Sequence, residues 1–61
     1  MPEDFEDTYG DVANVYTLGG RVFVSVITDP GTQYEEISEL AFTPENAAKF
    51  AKAIKRMAKA A

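Results

Sequence analysis

Cysteine, histidine and tryptophan are all missing from this chain of 61 residues. Without cysteine, disulfide bonds and thiolate metal sites are excluded. Without histidine, the chain also lacks the commonest transition-metal ligand and the usual general base near neutral pH. Serine, threonine and tyrosine hydroxyl groups therefore have no histidine to activate them. We expect a protein that is not an enzyme and that binds no metal or other cofactor.

Long hydrophobic runs are missing as well. The longest strongly apolar run is about Val22 to Ile27, which is far too short to span a bilayer. The first seven residues are acidic and contain neither the basic nor the apolar region of a signal peptide. These features predict a cytoplasmic protein with no membrane partner.

The small size of the chain limits how it can be stabilised. Sixty-one residues make one small domain at most. Below about 70–80 residues, one hydrophobic core rarely supplies more than about 3–5 kcal/mol, and small proteins usually add disulfides, a metal or a second subunit. Because the first two are excluded here, we expect a homo-oligomer, most simply a two-fold dimer.

The charge is strongly segregated along the chain. The formal net charge is -4, and hydrophobic residues make up 46% of the sequence. Residues 1–45 carry all ten carboxylates and one base, Arg21, which gives −9; residues 46–61 carry five bases, which gives +5. The overall acidity therefore conceals a basic C-terminal segment.

Two β-rich runs, 11–18 and 21–28, flank Gly19-Gly20. Two glycines between such runs predict a hairpin with a primed turn, in which Leu18 faces Arg21. The second strand is apolar on both faces, which is typical of a central strand covered on both sides. In this register, one face carries Ala13, Val15, Val22, Val24 and Val26, and the other carries Val12, Tyr16, Leu18, Phe23 and Ile27.

The segments on either side of this hairpin are less regular. After a strong turn signal at 29–32, a third strand is expected over about 33–42. Its apolar residues do not alternate cleanly, so we expect a bulge, with a short helical turn through Tyr34–Leu40 as the alternative. Residues 1–10 are acidic and include Pro2 and Gly10, which predicts a flexible N-terminal tail outside a single domain at 11–61.

A helix of about 16 residues is predicted after Thr43. Thr43 suits the N-cap, Pro44 suits the first helical position, and Glu45 complements the helix dipole. Phe42 is expected to pack back on the helix at Ala47 as a hydrophobic staple. One stripe of the helix is apolar, and the other carries the bases Lys49, Lys52, Lys55, Arg56 and Lys59.

These elements predict an α+β fold, a three-stranded antiparallel meander followed by one helix packed on the sheet (β-β-β-α). The Ala/Val face suits an Ala-rich helix, which leaves the aromatic face for a dimer interface formed by Val12, Tyr16, Phe23, Ile27 and Tyr34. In the alternative arrangement, the helix covers the aromatic face and the Val face is exposed. A further route to assembly is edge pairing through the uncharged first strand, Val12 to Leu18.

The basic stripe of the helix is a candidate anion-binding surface. Its members are Lys49, Lys52, Lys55, Arg56 and Lys59. A solvated lysine face is also normal for a helix whose other face is buried. The favoured function is a small homodimeric protein-interaction or regulatory module with an unknown protein partner. The alternative is a nucleic-acid-binding accessory protein that uses this stripe.

The stretch from Leu40 to Ile54, LAFTPENAAKFAKAI, carries a family resemblance. It resembles the C-terminal part of short actinobacterial and actinobacteriophage orphan proteins, in which a strand precedes a Thr-Pro-Glu-capped, Ala-rich helix. The resemblance covers about a quarter of the chain and implies a phage or bacterial origin. No functional residue is carried over from it.

Overall fold

The computed structural model describes residues 3–61, which form an antiparallel sheet followed by one helix. The strands are β1 (Glu3–Glu6), β2 (Val12–Leu18), β3 (Arg21–Thr28) and β4 (Glu36–Phe42), and the helix is α1 (Pro44–Ala60). The strands are hydrogen-bonded in the order β1-β2-β3-β4. The predicted α+β class, with a meander and one C-terminal helix, is therefore confirmed.

The predicted central hairpin is confirmed in its register and its turn. Leu18 pairs with Arg21, Tyr16 with Phe23, and Val12 with Ile27. Gly19 and Gly20 have φ values of 59° and 77°. Both values are positive, as a primed turn requires, and its twist matches that of the flanking strands.

The sheet has four strands, whereas the sequence predicted three. The additional strand, β1, lies within the 1–10 segment that was predicted to be a tail, and Phe5 pairs with Ala13. The Asp7 side chain explains the pairing: its Oδ1 accepts hydrogen bonds from the backbone N–H groups of Tyr9 (2.7 Å) and Asp11 (2.9 Å). This local turn reverses the chain, and the acidic segment then pairs with β2.

The predicted bulge in the last strand and its helical alternative were both wrong. The pairing between β3 and β4 keeps one register from Val22↔Phe42 to Thr28↔Glu36. The irregular apolar pattern arises because Ile37 lies on one face of the sheet, whereas Leu40 and Phe42 lie on the other. Tyr34 lies in the turn that precedes the strand.

The helix begins as the sequence predicts but docks one turn later than expected. Thr43 is the N-cap, and its Oγ1 accepts a hydrogen bond from the Asn46 N–H at 3.2 Å. Phe42 stacks on Phe50, with ring centroids 5.2 Å apart and planes 17° apart. Because Ala47 offers only a methyl group, the larger Phe50 ring forms the contact with the strand.

The molecule is a flat plate with little interior. Its extents are 36 × 34 × 17 Å, and the radius of gyration is 12.7 Å, against about 10.5 Å for a typical domain of this length. Among residues 3–61 no hydrophobic side chain is buried, and the buried polar residue is Ser25 at 5% exposure. In a single chain, the apolar side chains therefore remain partly exposed to water.

Candidate docking groove

The two faces of the sheet differ in what lies against them. We call the face that carries Ala13, Val15, Val22, Val24, Val26, Leu40 and Phe42 the helix-side face, and the opposite one the outer face. The stacking of Phe50 on Phe42 places α1 on the helix-side face. The helix thus packs against the Ala/Val face, as the favoured interpretation of the sequence held.

The helix covers only part of this face. Its Cα atoms come within 8 Å of those of β3 and β4, and within the described chain they do not come this close to β1 or β2. Exposure rises along its apolar stripe, from 39% at Phe50 to 55% at Ile54 and 66% at Met57. The helix therefore diverges from the sheet toward its C-terminal end.

An open groove of about 640 Å³ lies between the helix and the β1–β2 half of the sheet. We call it the sheet–helix groove. All of its lining residues are apolar: Phe5, Ala13, Val15, Val24, Val26, Phe50, Ala51 and Ile54. Neither Phe5 nor the groove was predicted from the sequence, because residues 1–10 were expected to form a tail and one helix was expected to cover the face.

The interface residues predicted from the sequence are distributed differently. Val12, Tyr16, Phe23 and Ile27 share the outer face, where each is half-buried. Tyr16 and Phe23 stack there, with ring centroids 5.2 Å apart. Tyr34 lies in the turn before β4 and is 69% exposed. The structure thus brings four of the five together.

Edge pairing through the whole of β2 is ruled out by the observed sheet. The sequence placed Val12–Leu18 at an edge, but β1 pairs with β2 from Val12 to Val15. The edge strands are instead β1 and β4, which carry Glu3, Asp4, Glu6, Glu36 and Glu39. Charged side chains at edges oppose strand addition by other chains.

A hydrogen-bonded cluster joins three strands on the outer face. Glu39 Oε2 accepts hydrogen bonds from the Tyr16 hydroxyl at 2.5 Å and from the Ser25 hydroxyl at 2.9 Å. These two hydrogen bonds, chiefly that from Tyr16, hold the pKa of the Glu39 carboxyl below its ordinary value of 4.5. The hydrogen bond to Glu39 in turn raises the pKa of Tyr16 above its ordinary value of 10.0. The cluster consists of two donors and one acceptor, and it links β2, β3 and β4.

Replacing Glu39 by glutamine should weaken the acid dependence of stability. Since the Glu39 pKa is lowered by folding, its contribution is present above pH 4.5 and is lost as the pH falls through the lowered value. The Tyr16 contribution is present below pH 10.0 and is lost as the pH rises through the raised value. Urea midpoints measured from pH 7 down to about pH 3 should therefore fall less in Glu39→Gln than in the native chain. Glu6→Gln controls for the loss of one carboxylate elsewhere, and equal slopes in all three proteins would contradict the assignment.

The basic stripe lies on the exposed side of α1. Its members, Lys49, Lys52, Lys55, Arg56 and Lys59, are all exposed. The acidic strand β1 does not contact the helix in the described chain, so it does not pack over the stripe. Anion or nucleic-acid binding by these residues stays a prediction.

Comparison with known proteins finds no match to a protein-family model, to a curated protein or to a solved structure. In residues 3–61 there is no group of three or more carboxylates placed to hold a metal ion. Over the same residues, no helix has the length and apolar character needed to cross a membrane.

Proposed function

We propose that this chain is a small cytoplasmic, non-enzymatic protein-interaction module that assembles as a homodimer through the sheet–helix groove. The observation that carries the proposal is the open groove, which has only apolar lining in a chain with no buried hydrophobic side chain in its described part. Contiguous apolar surface of this kind marks interaction sites in soluble proteins. The missing hydrophobic burial would then come from association.

The exposed area supports this proposal quantitatively. The chain exposes 5124 Å², whereas a compact monomer of 6.7 kDa is expected to expose about 3,900 Å². The surplus of roughly 1,200 Å² exceeds the roughly 800 Å² that each partner buries in a standard protein interface. Association through one surface is thus large enough to remove the surplus.

The distribution of exposed apolar residues favours the groove over the outer face. Phe5 and Ile54, which line the groove, are 56% and 55% exposed, and Met57 continues the apolar stripe of the helix at 66% exposure. On the outer face, the predicted interface residues Val12, Tyr16, Phe23 and Ile27 are half-buried within one chain. Covering Phe5 and Ile54 therefore removes more apolar surface per residue from water than covering these four residues would.

Sedimentation equilibrium of a matched pair of variants tests this function. Ile54→Glu places a charge in the groove, and Ile37→Glu places one on the outer face at an isoleucine of similar exposure, 63% against 55%. We expect the native chain and Ile37→Glu to be dimers at about 100 μM, and Ile54→Glu to be weakened at least about tenfold, since an unpaired charge in an apolar interface is costly.

Two results would contradict the proposal. If the native chain sediments with the mass of a monomer at about 100 μM, the proposed dimer is contradicted. If Ile37→Glu dissociates the dimer and Ile54→Glu does not, the interface lies on the outer face. Circular dichroism of each variant shows whether the fold is retained, and Phe23→Glu then tests the outer face directly.

A further inference from the structure

We infer that the occupant of the sheet–helix groove is α1 of a second copy, so that each helix bridges two sheets. This inference rests on the proposed homodimer and adds which element of the partner enters the groove. Four features carry it: the width of the sheet, the unused half of the helix, the charges around the groove, and the absence of polar lining.

The width of the uncovered sheet matches one helix. Four strands at spacings of about 4.8 Å span about 14 Å between the axes of β1 and β4. Two helices pack side by side about 8–10 Å apart, so a face of this width holds two. The native helix lies over β3 and β4, which leaves the β1–β2 half, with Phe5, Ala13 and Val15, for one more helix.

The chain supplies a helix surface that its own sheet does not use. Ile54 and Met57 are 55% and 66% exposed, and Ala58 and Ala61 continue the same apolar stripe. The first half of α1 is held on its own sheet through Phe50, so the second half is free to reach a neighbour. A two-fold axis would let the two copies exchange these halves equally, which is the isologous contact of a closed dimer.

The charges of the two surfaces are complementary. The uncovered side of the sheet is bounded by β1, where Glu3 lies on the helix-side face together with Phe5, whereas Asp4 and Glu6 lie on the outer face. The helix of the second copy carries five bases beside its apolar stripe. Placed over β1 and β2, that helix would bring its bases toward Glu3, which favours this orientation and speeds association.

The lining of the groove argues against a small molecule as the occupant. Small-molecule sites combine apolar walls with a few polar groups that fix the orientation of the ligand. Every residue that lines this groove is apolar. A helix with an apolar stripe satisfies its own backbone polar groups, so it needs no polar partners in the groove.

Disulfide trapping between separate chains tests the inference, and the cysteine-free sequence makes single-cysteine variants unambiguous. Phe5→Cys is mixed with Ile54→Cys or with Met57→Cys and oxidised, so that any Phe5–helix bond must join two copies. We expect the mixed disulfide, identified by intact mass, to exceed about tenfold that formed by Phe5→Cys with Lys55→Cys on the basic side of the helix, because disulfides need Cα atoms within about 7 Å.

A second control replaces the groove residue instead of the helix residue. Ile37→Cys lies on the outer face and is 63% exposed, close to the 56% of Phe5. Its mixed disulfide with Met57→Cys should stay at the level of the Lys55→Cys control. The five positions are all exposed in one chain, so the substitutions leave the fold intact.

The outcomes separate this inference from the proposed function. A dimer whose Phe5 mixtures with Ile54→Cys and Met57→Cys do not exceed the controls would overturn the helix exchange and leave the homodimer standing. A chain that sediments as one copy at about 100 μM would overturn both. In that case, binding of an unrelated amphipathic helix or of an apolar small molecule would identify a different occupant.

Discussion

Raising the protein concentration from about 1 μM to about 100 μM should raise the melting temperature by about 5–10 °C. A monomer would show no such dependence. For a dimer, a hundredfold increase in concentration raises the free energy of unfolding by about 2.7 kcal/mol per dimer, or by about 1.4 kcal/mol per chain. For a domain of this size, each kcal/mol shifts the melting temperature by about 4–8 °C.

We expect a large effect because, in the proposed homodimer, association would supply the apolar burial that one chain lacks. No hydrophobic side chain is buried in the described part of one chain, so the apolar area gained on association is a large share of the total burial. Differential scanning calorimetry at the two concentrations measures the shift. In Ile54→Glu, the melting temperature should change by close to zero between the two concentrations. In Ile37→Glu, it should change by as much as in the native chain. A melting temperature independent of concentration in the native chain would contradict a dimer.

Replacing Phe42 by alanine should detach the helix from the sheet. The ring of Phe42 stacks on Phe50 at 5.2 Å and is the aromatic contact between β4 and α1. Buried Phe→Ala changes cost about 3–5 kcal/mol, and at this half-buried position we expect about 2–3 kcal/mol. A single small core rarely supplies more than about 3–5 kcal/mol in total, so most of the stability of one chain would be lost.

Urea denaturation followed by circular dichroism measures this loss. An isolated helix of 17 residues is marginal in water, so the helical signal should fall along with the midpoint. Tyr9→Ala is the control, because Tyr9 is 88% exposed and should change stability by less than about 0.5 kcal/mol. If Phe42→Ala matches this control, the helix is held by other contacts; a Phe42→Ala, Phe50→Ala double-mutant cycle then measures the coupling directly.

The sequence predicted the parts of the fold that depend on local chemistry. Gly19-Gly20 determined the hairpin register, because two-residue loops with positive φ admit one pairing. Thr43 and Pro44 determined the helix start through capping. β1 was missed because its sequence, EDFE, has little β propensity, and its pairing depends on the Asp7 side chain, which closes a turn directly after the strand. Asp7 followed by Gly10 was the available signal for that turn.

The candidate site was less predictable than the fold. The sequence indicated which face the helix would cover, because alanines and valines allow close packing. It did not indicate that the helix would diverge, since the angle between β4 and α1 depends on how Phe50 stacks on Phe42. The open groove depends on that angle and on β1, neither of which periodicity could predict, although alternation had already grouped Ala13, Val15, Val24 and Val26 on one face. Val12, Tyr16, Phe23 and Ile27 were grouped correctly because alternation along β2 and β3 assigns faces directly, whereas Tyr34 lies in a turn, to which alternation does not apply.

Ser25 helps to determine the register in which the strands pair. β3 is apolar on both sides, so hydrophobicity alone would tolerate a slip of one position, which turns every side chain to the opposite face. The hydrogen bonds from Ser25 and Tyr16 to Glu39 can form only when β2, β3 and β4 are aligned as observed. A slipped sheet would leave the Glu39 carboxylate without its two donors and would put Ser25 among the valines. The hydrogen-bonded cluster therefore favours the native register over the register that is shifted by one residue.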